Sequence, residues 1–582
     1  MKRIVILSSI ISAIIFIVNG LNAQSDQRGY YDAPYTRYEA DKGVLYKSKV
    51  TSNSFNQADL QSEASGQVCV DLSIQKSSVE WGITKEADGL VVRYSIPDSS
   101  AGELEIYVNN KIVGLLKLTA HYSWEYLWNN GNSNNSGVVN TNPKMRFDEV
   151  RMKLPFKIAQ GGKLKLVNKT GKIHIDFIEL EAIEPMVLAA TGDLTYSGDG
   201  SDLQNFIDKN GGKTIYVPVG VYDLNSELYF GADNTVLKGA GIWYTQLNFT
   251  RIKWLKGGLY ANAKDISFSG LYLTTLSNSR ASSYKAINGI FTSGSIIKNV
   301  WAEHFECGAW IAQYNQGSVA YAEGFTVSHC RFRNNYADGI NLCKGTRSAI
   351  VEHCSFRNNG DDDMAVWCAD NMECQNNTFQ YSTSENCWRA SGCAIYGGLN
   401  NKAHHLLIKD NLEVGLRVNN AFPGAGFNDA GMHEFSDITI IGCGTNNDLY
   451  YSPVGAIDLT CTDRNGVQLK NIKFSNIDII NSKNDAIYFL RYGGDKFSNL
   501  FFENITIDGT GKEYPFNDGK NINAKGDRGY GVWFKYKPKG SITYCNFIIK
   551  NRGGNVKEDI GKEEIGMLEW KESIDCSMKS QK

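Results

Sequence analysis

Apolar residues recur along this chain mostly at every second position, in short runs, with Gly, Asn, Asp and Ser gathered between the runs. Period-two alternation marks strands with one face buried. In the first third the runs are Leu90-Val91-Val92-Arg93-Tyr94-Ser95-Ile96 and Leu104-Glu105-Ile106-Tyr107-Val108, the latter closed by a turn at Asn109-Asn110. Leu164-Lys165-Leu166-Val167 and Ile173-His174-Ile175-Asp176-Phe177-Ile178-Glu179-Leu180 follow. Several short strands over that span predict a β-sandwich of the jelly-roll kind at residues 35–184. A boundary falls near Pro185 to Thr191. Leu203, Phe206 and Ile207 then show the spacing of three and four that marks a short amphipathic helix.

From Val236 to about Ile549, β-branched runs recur with no long helix among them. Examples are Ile296-Ile297-Lys298-Asn299-Val300, Ile438-Thr439-Ile440-Ile441 and Asn504-Ile505-Thr506-Ile507. Small-residue strand starts such as Gly339-Ile340 and Gly455-Ala456-Ile457 follow some of them, so each structural unit supplies at least two strands. The stretch from Val327 to Trp367 is nearly a duplication. V-S-H-C-R-F-R-N-N-Y-A-D ends at Asp338, and V-E-H-C-S-F-R-N-N-G-D-D ends at Asp362, with Cys330, Phe332, Asn334 and Asp338 each repeated 24 residues later. A period of that length indicates stacked supersecondary units. A β-propeller, with blades of roughly 40–45 residues, fits it less well. The Asn334-Asn335 and Asn358-Asn359 pairs are expected to stack at a turn and share amide hydrogen bonds along the axis. Together with the strand after it, the short helix near Leu203 resembles the N-terminal cap of right-handed parallel β-helix enzymes of the pectate-lyase-like type. Such a cap protects the sticky edge of a first coil. The fold class expected is all-β, a sandwich at 35–184 followed by a parallel β-helix at 190–555 and a charged tail at 556–582.

Composition narrows the partners. The chain has 582 residues, a formal net charge of −2, 57 Gly and only 10 Pro. A balanced charge argues against nucleic acid or an anionic membrane surface as a partner. Lys2 and Arg3, the apolar run Ile4 to Val18, and Leu21-Asn22-Ala23 read as a signal peptide over 1–23. No Cys follows it for a lipid anchor. The expected mature protein is monomeric, free of the membrane, and secreted or periplasmic. Thirteen cysteines in an exported chain invite a disulfide reading. Cys330 and Cys354, and within one residue Cys343 and Cys368, hold equivalent places in adjacent units. Rungs ~4.8 Å apart fit either disulfides or an interior ladder of free thiols. Cys387 and Cys393 are a closer local pair.

Stacking also sets Asp338 against Asp362, with Asp361 beside it and Asp363 just after. Crowded carboxylates repel, so at least one pKa should rise, as a general acid near neutral pH requires. Asp338 and Asp362 are assigned to activating water and Asp361 to acid duty, with the exchange of Asp361 and Asp362 as the competing assignment. No cofactor is expected for catalysis. An Asp-rich turn is otherwise plain solvated surface or a Ca²⁺ ligand set. Trp310, Trp367, Trp388, Tyr396, Tyr450, Tyr451 and Tyr492 are candidates to line sugar subsites by stacking.

Asn335-Tyr336-Ala337-Asp338-Gly339-Ile340-Asn341-Leu342, then Asn359-Gly360-Asp361-Asp362 and Arg389-Ala390-Ser391-Gly392-Cys393-Ala394-Ile395-Tyr396-Gly397-Gly398, resemble glycoside hydrolase family 87. That family contains α-1,3-glucanases and mycodextranases. The resemblance implies an α-glucan partner, α-1,3-glucan or nigeran, cut with inversion by Asp338, Asp361 and Asp362. Tyr38-Glu39-Ala40-Asp41 and Ile175-Asp176-Phe177-Ile178-Glu179-Leu180 resemble carbohydrate-binding modules of families 6 and 35. That likeness implies a structural Ca²⁺ on Glu39, Asp41 and Asp176, with Trp81, Tyr122, Trp124 and Trp128 as sugar-stacking candidates. The rivals are a polygalacturonase or a Ca²⁺-dependent lyase on the same fold, and a non-catalytic glycan adhesin. The polygalacturonase Gly-His-Gly motif is absent, although Arg389, Arg417, Arg464 and Arg491 offer cations for an acidic substrate.

Overall fold

The computed structural model describes residues 28–573, apart from 30–32, 56–58, 125, 130–131, 135–144, 251–256, 279, 281–283, 313–320, 423, 448–451, 463–467, 493–495, 512–528, 537, 554–558 and 563–566. The signal peptide, Tyr450, Tyr451 and Arg464, as well as the side chains of Trp128 and Tyr492, lie outside the described residues.

Two antiparallel sheets make the sandwich. One joins Tyr35–Glu39, Lys49–Val50, Val70–Asp71, Ala87–Ser95, Asp148–Ile158 and His174–Glu181. The other joins Val44–Tyr46, Ser78–Gly82, Ala101–Val108, Lys111–Thr119 and Lys163–Thr170. Alternation places Leu90, Val92 and Tyr94 against Leu104, Ile106, Leu164 and Leu166 in one core. First and last strands pair, with Tyr38 opposite Ile178.

The helix Leu203–Lys209 then opens a right-handed parallel β-helix. One long sheet runs along it with 18 described strands, and a second sheet with 12. The 24-residue period is the register itself. Arg331, Phe332 and Arg333 pair with Ser355, Phe356 and Arg357, while Ile340 and Leu342 pair with Met364 and Val366. Phe332 and Phe356 stack inside at 5.5 Å. The coil bends where single residues at its corners turn left-handed. Asn334 and Asn358 have φ of 54° and 57°, and His329 and His353 have 55° and 51°. Asparagine tolerates that region better than most residues, and the repeat places it there. The expected amide ladder forms. Asn358 Nδ2 donates to Asn334 Oδ1 at 2.8 Å, and Asn335 Nδ2 to Asn359 Oδ1 at 2.9 Å. All twelve described cysteines are free and buried, so the interior-ladder reading holds over the disulfide reading for Cys330 and Cys354 and for Cys343 and Cys368, and the local pair Cys387 and Cys393 is not bridged.

The sandwich is fused to the β-helix through buried charge. Arg333 and Arg357 point outward from successive coils, yet both are 0% exposed because the sandwich covers them. Arg357 donates to Glu179 at 2.6 Å and to Glu149 at 2.6 Å, both on sandwich strands. Arg37 bridges Glu179 at 2.8 Å and Glu385 at 2.7 Å. Arg93, paired with Asp176, donates to Asn358 Oδ1 at 2.9 Å. Four arginines thus meet Glu149, Glu179, Glu385 and Asp176.

That weld corrects the calcium expectation. Asp176 is spent on Arg93 and on the backbone amide of Ser65. Asp41 pairs with Lys42, and Glu39 accepts from Ser65 Oγ. Among the described residues, these three are not brought together as a ligand set. A Ca²⁺ ion needs several convergent oxygens that are not already neutralised, so Glu39, Asp41 and Asp176 do not fit one. The stacking candidates change as well. Trp81 is 5% exposed in the sandwich core, Trp124 packs against that core, and Tyr122 stacks on His304 at 3.6 Å.

Candidate active site

The strands Ile340–Cys343 and Met364–Trp367 pair in register, and two residues before each stand Asp338 and Asp362. The Gly339 amide donates to the Asp362 carbonyl at 3.0 Å, which carries one aspartate onto the other. Asp361 reaches the same place through a turn. Gly360 N donates to Asn335 O at 2.9 Å, and a Cβ on Gly360 would meet the Trp388 ring at 2.1 Å. Only glycine allows the chain that close. As a result Asp338, Asp361 and Asp362 bring carboxylate oxygens within 4.8 Å of one another. Asp363 turns away into the interior. Asn359 Nδ2 donates to it at 2.7 Å and Ser384 Oγ at 2.5 Å. Burial lifts its carboxyl to about 8, so it continues the corner ladder as a neutral acid.

Electrostatics separate the three. Burial, then Asp361 and Asp362, push the Asp338 carboxyl well above its ordinary value, while Asn341 Nδ2 steadies it at 3.1 Å. Burial also works against ionisation of Asp361, but Arg280 and Arg389 overcome it and hold that carboxyl below the usual range. Arg280 donates to Asp361 Oδ2, to Gly360 O at 2.8 Å and to Tyr336 O at 3.1 Å. Arg389 reaches Asp361 Oδ2 at 3.3 Å. Burial and Asp361 raise Asp362 to about 6, opposed by Arg417 and by the Tyr396 hydroxyl, which donates at 2.7 Å. The second Asp362 oxygen, Oδ1, is buried with no hydrogen-bond partner among the described residues.

The two arginines therefore favour the ionised form of Asp361, while burial and crowding favour the protonated forms of Asp338 and Asp362. That arrangement runs against acid duty at Asp361 on electrostatics alone. Accessibility favours Asp361, since its side chain is 25% exposed while Asp338 and Asp362 are buried.

Trp310, Trp367 and Tyr396 lie on the outer face of the twelve-stranded sheet beside the trio. Trp388 does not join them; it is 1% exposed and packs on Met145 and Tyr336. Arg280, Lys285 and Glu306 were not legible as site residues in the sequence. Lys285 pairs with Glu306 at 2.7 Å, and Asp338 helps to raise its pKa.

Two family models match the chain, α-1,3-glucanase catalytic domain D1 over residues 32–183 and domain D2 over residues 195–551. The chain is 32% identical to the Agl-KA catalytic domain, with a TM-score of 0.85, covering 95% of this chain and 100% of that one. A thermostable family 87 α-1,3-glucanase from Streptomyces thermodiastaticus shares the fold at 20% identity and a TM-score of 0.78, over 94% of this chain and 96% of that one. A family 87 α-1,3-glucanase domain in complex with nigerose does so at 20% identity and a TM-score of 0.74, over 93% and 100%. No curated protein sequence matches the chain.

Proposed function

Because the chain belongs to the α-1,3-glucanase catalytic-domain family of glycoside hydrolases, we propose that it is an exported enzyme that cleaves α-1,3-glucosidic bonds with inversion at Asp338, Asp361 and Asp362. The gathering of those three carboxylates within 4.8 Å from two stacked coils carries this reading. A related domain binds nigerose, an α-glucan fragment, which supports α-1,3-glucan or nigeran as the substrate. The leader at 1–23 supports export. The polygalacturonase and lyase rivals lose their support, since the arginines at the site neutralise Asp361 and stand near Asp362.

Asp361, the accessible member, protonates the glycosidic oxygen. Acid duty at Asp361 therefore requires its carboxyl to rise, in the complex with substrate, out of the range in which Arg280 and Arg389 hold it. Asp338 and Asp362 receive the water, with Asp362 Oδ1 the oxygen left open for it. An inverting site ordinarily separates acid from base by roughly 6.5–9.5 Å. The nearest oxygens here are closer than that, so the water must use the far side of the Asp338–Asp362 pair. The decisive measurement is the anomeric form of the first product. An α-linked substrate should release β-configured ends, and initial α ends refute inversion.

The roles have their own test. Asp361→Asn should regain activity on an α-glucosyl substrate with an activated leaving group, which needs no acid, whereas Asp338→Asn and Asp362→Asn should not. Rescue of Asp362→Asn instead would transfer acid duty to Asp362.

A pH profile follows from Asp362. A base at about 6 works only when ionised, so kcat/KM should rise with pH through about 6 and lose that limb in Asp362→Asn. The stability sign is opposite. The folded state holds this proton more tightly than the ordinary value of 3.8, so the carboxyl favours folding at low pH and that advantage disappears as pH climbs through about 6.

A further inference from the structure

Two bulky residues of the sandwich hold left-handed backbone where it meets the turn at Gly360 and Asp361. Trp124 has φ of 69° and Met145 of 43°, and the Trp124 amide donates to the Met145 carbonyl at 2.8 Å. Glycine and asparagine take that region readily, whereas a large side chain there stores strain. The surroundings enforce it. Trp124 Nε1 donates to Ile96 O at 2.9 Å, and the Arg146 amide to Glu63 Oε2 at 2.6 Å. The Arg146 side chain, itself buried, also pairs with Glu63 at 3.3 Å. Phe147 is buried too, and its carbonyl accepts from Asn358 Nδ2 at 2.8 Å.

This pinned backbone delivers one side chain across the seam. Met145 is fully buried and packs with Tyr336 and Trp388, both from the β-helix, in a cluster of their own. A methionine suits the place, since its flexible thioether fills the gap between two rings. Those two residues enclose the turn that carries Asp361. A Cβ on Gly360 would collide with the Trp388 ring and with Tyr336 O. Tyr336 O also accepts from Arg280, which pairs with Asp361, and Trp388 precedes Arg389, the second cation on that carboxylate. The Tyr336 hydroxyl reaches back to the sandwich and donates to Tyr122 O at 3.0 Å. Asp338 and Asp362 are held differently. Gly308 N donates to Asp338 O and Gly339 N to Asp362 O, each at 3.0 Å, so hydrogen bonds between rungs fix that pair.

We infer that Met145 is a positioning residue for the reaction: the sandwich presses its side chain against Tyr336 and Trp388 and so sets the turn that presents Asp361 to the glycosidic oxygen. This deepens the α-1,3-glucanase reading, with acid duty at Asp361, and rests on it. The sandwich supplies the mounting of the acid, while the β-helix alone mounts Asp338 and Asp362. Truncating Met145 leaves a gap behind Trp388 into which the turn relaxes. A misplacement of about 1 Å caused by a change away from the chemistry costs about 10²-fold in rate. The strain kept at Met145 is accounted for by the same placement.

The test measures kcat and KM for Met145→Ala and Met145→Leu, well below the Tm of each variant. The substrates are α-1,3-glucan and an α-glucosyl compound with an activated leaving group. Met145→Ala should lose roughly tenfold or more in kcat on the glucan, with KM unchanged. It should keep its activity on the activated compound, which needs no acid, because Asp338 and Asp362 stay in place. Met145→Leu refills the gap and should recover most of the glucan activity. Tyr336→Phe cuts the hydroxyl tie to Tyr122 and should show a smaller loss of the same kind, which decides the matter if Met145→Ala fails to fold. Equal losses on the two substrates, a lower Tm with kcat unchanged, or no recovery in Met145→Leu overturns the positioning role. A wild-type protein that cuts neither substrate, or an Asp361→Asn variant without rescue, would instead strike the reading on which this role rests.

Discussion

Asp338→Asn, Asp361→Asn and Asp362→Asn are each expected to lower kcat on α-1,3-glucan by roughly 10²–10⁴-fold. Asparagine keeps the shape and the hydrogen-bond acceptor but cannot gain or lose the proton that the reaction moves. The three do not act independently, so a double variant should be little worse than the worst single one. Stability should divide them in a way that activity does not. Asp338→Asn relieves a buried carboxyl crowded by two others and retains the Asn341 contact, so its Tm should hold or rise. Asp361→Asn leaves Arg280 and Arg389 without their carboxylate, so its Tm should fall. Steady-state assays on soluble glucan beside calorimetry report both. More than a tenth of wild-type turnover in all three variants would end the assignment.

The second large effect lies far from the chemistry. Glu179→Gln should destabilise the fold by about 3–5 kcal/mol, the typical cost of leaving a buried partner uncompensated. Glu179 meets Arg37, Arg333 and Arg357 at 2.8, 3.2 and 2.6 Å, with both it and the latter two essentially buried. Burial opposes its ionisation, yet the three guanidinium groups outweigh that and hold its carboxyl well below 4.5. Its contribution is therefore complete above about 4.5 and is lost as pH falls toward the depressed folded value. The loss should reach the active site, because the same seam binds Asn358 through Arg93 and Phe147 O, two residues before Gly360. Urea unfolding of Glu179→Gln at neutral pH and at pH 4 is the measurement. The gap from wild type should shrink at the lower pH. Replacing Glu149, Glu179, Arg333 and Arg357 together by apolar residues, which leaves Arg37 paired with Glu385, should cost less than Glu179→Gln alone. A Glu179→Gln protein as stable as wild type would mean that the seam contributes nothing.

The residue pattern alone determined the repeating coil and the placement of its acids. Identical side chains 24 positions apart can only stack if the coil length matches the repeat, so Asp338 over Asp362, the Asn334–Asn358 ladder and the Phe332–Phe356 stack follow from local sequence. Alternation likewise gave the sandwich. Tertiary structure decided what covers an outward face. Arg333 and Arg357 flank inward phenylalanines and read as solvent-facing, and Glu149 and Glu179 read the same way on their strands, until docking buries all four together. Arg280 stands 81 residues from Asp361 and carries no local mark of the pairing. Which of the neighbouring aspartates faces the cleft also waited on the turn at Gly360, packed against Trp388, which sends Asp363 inward and leaves Asp361 outward. Periodicity is a property of neighbours along the chain, whereas charge pairing and the solvent left to a carboxylate depend on surfaces that meet only after the chain has folded.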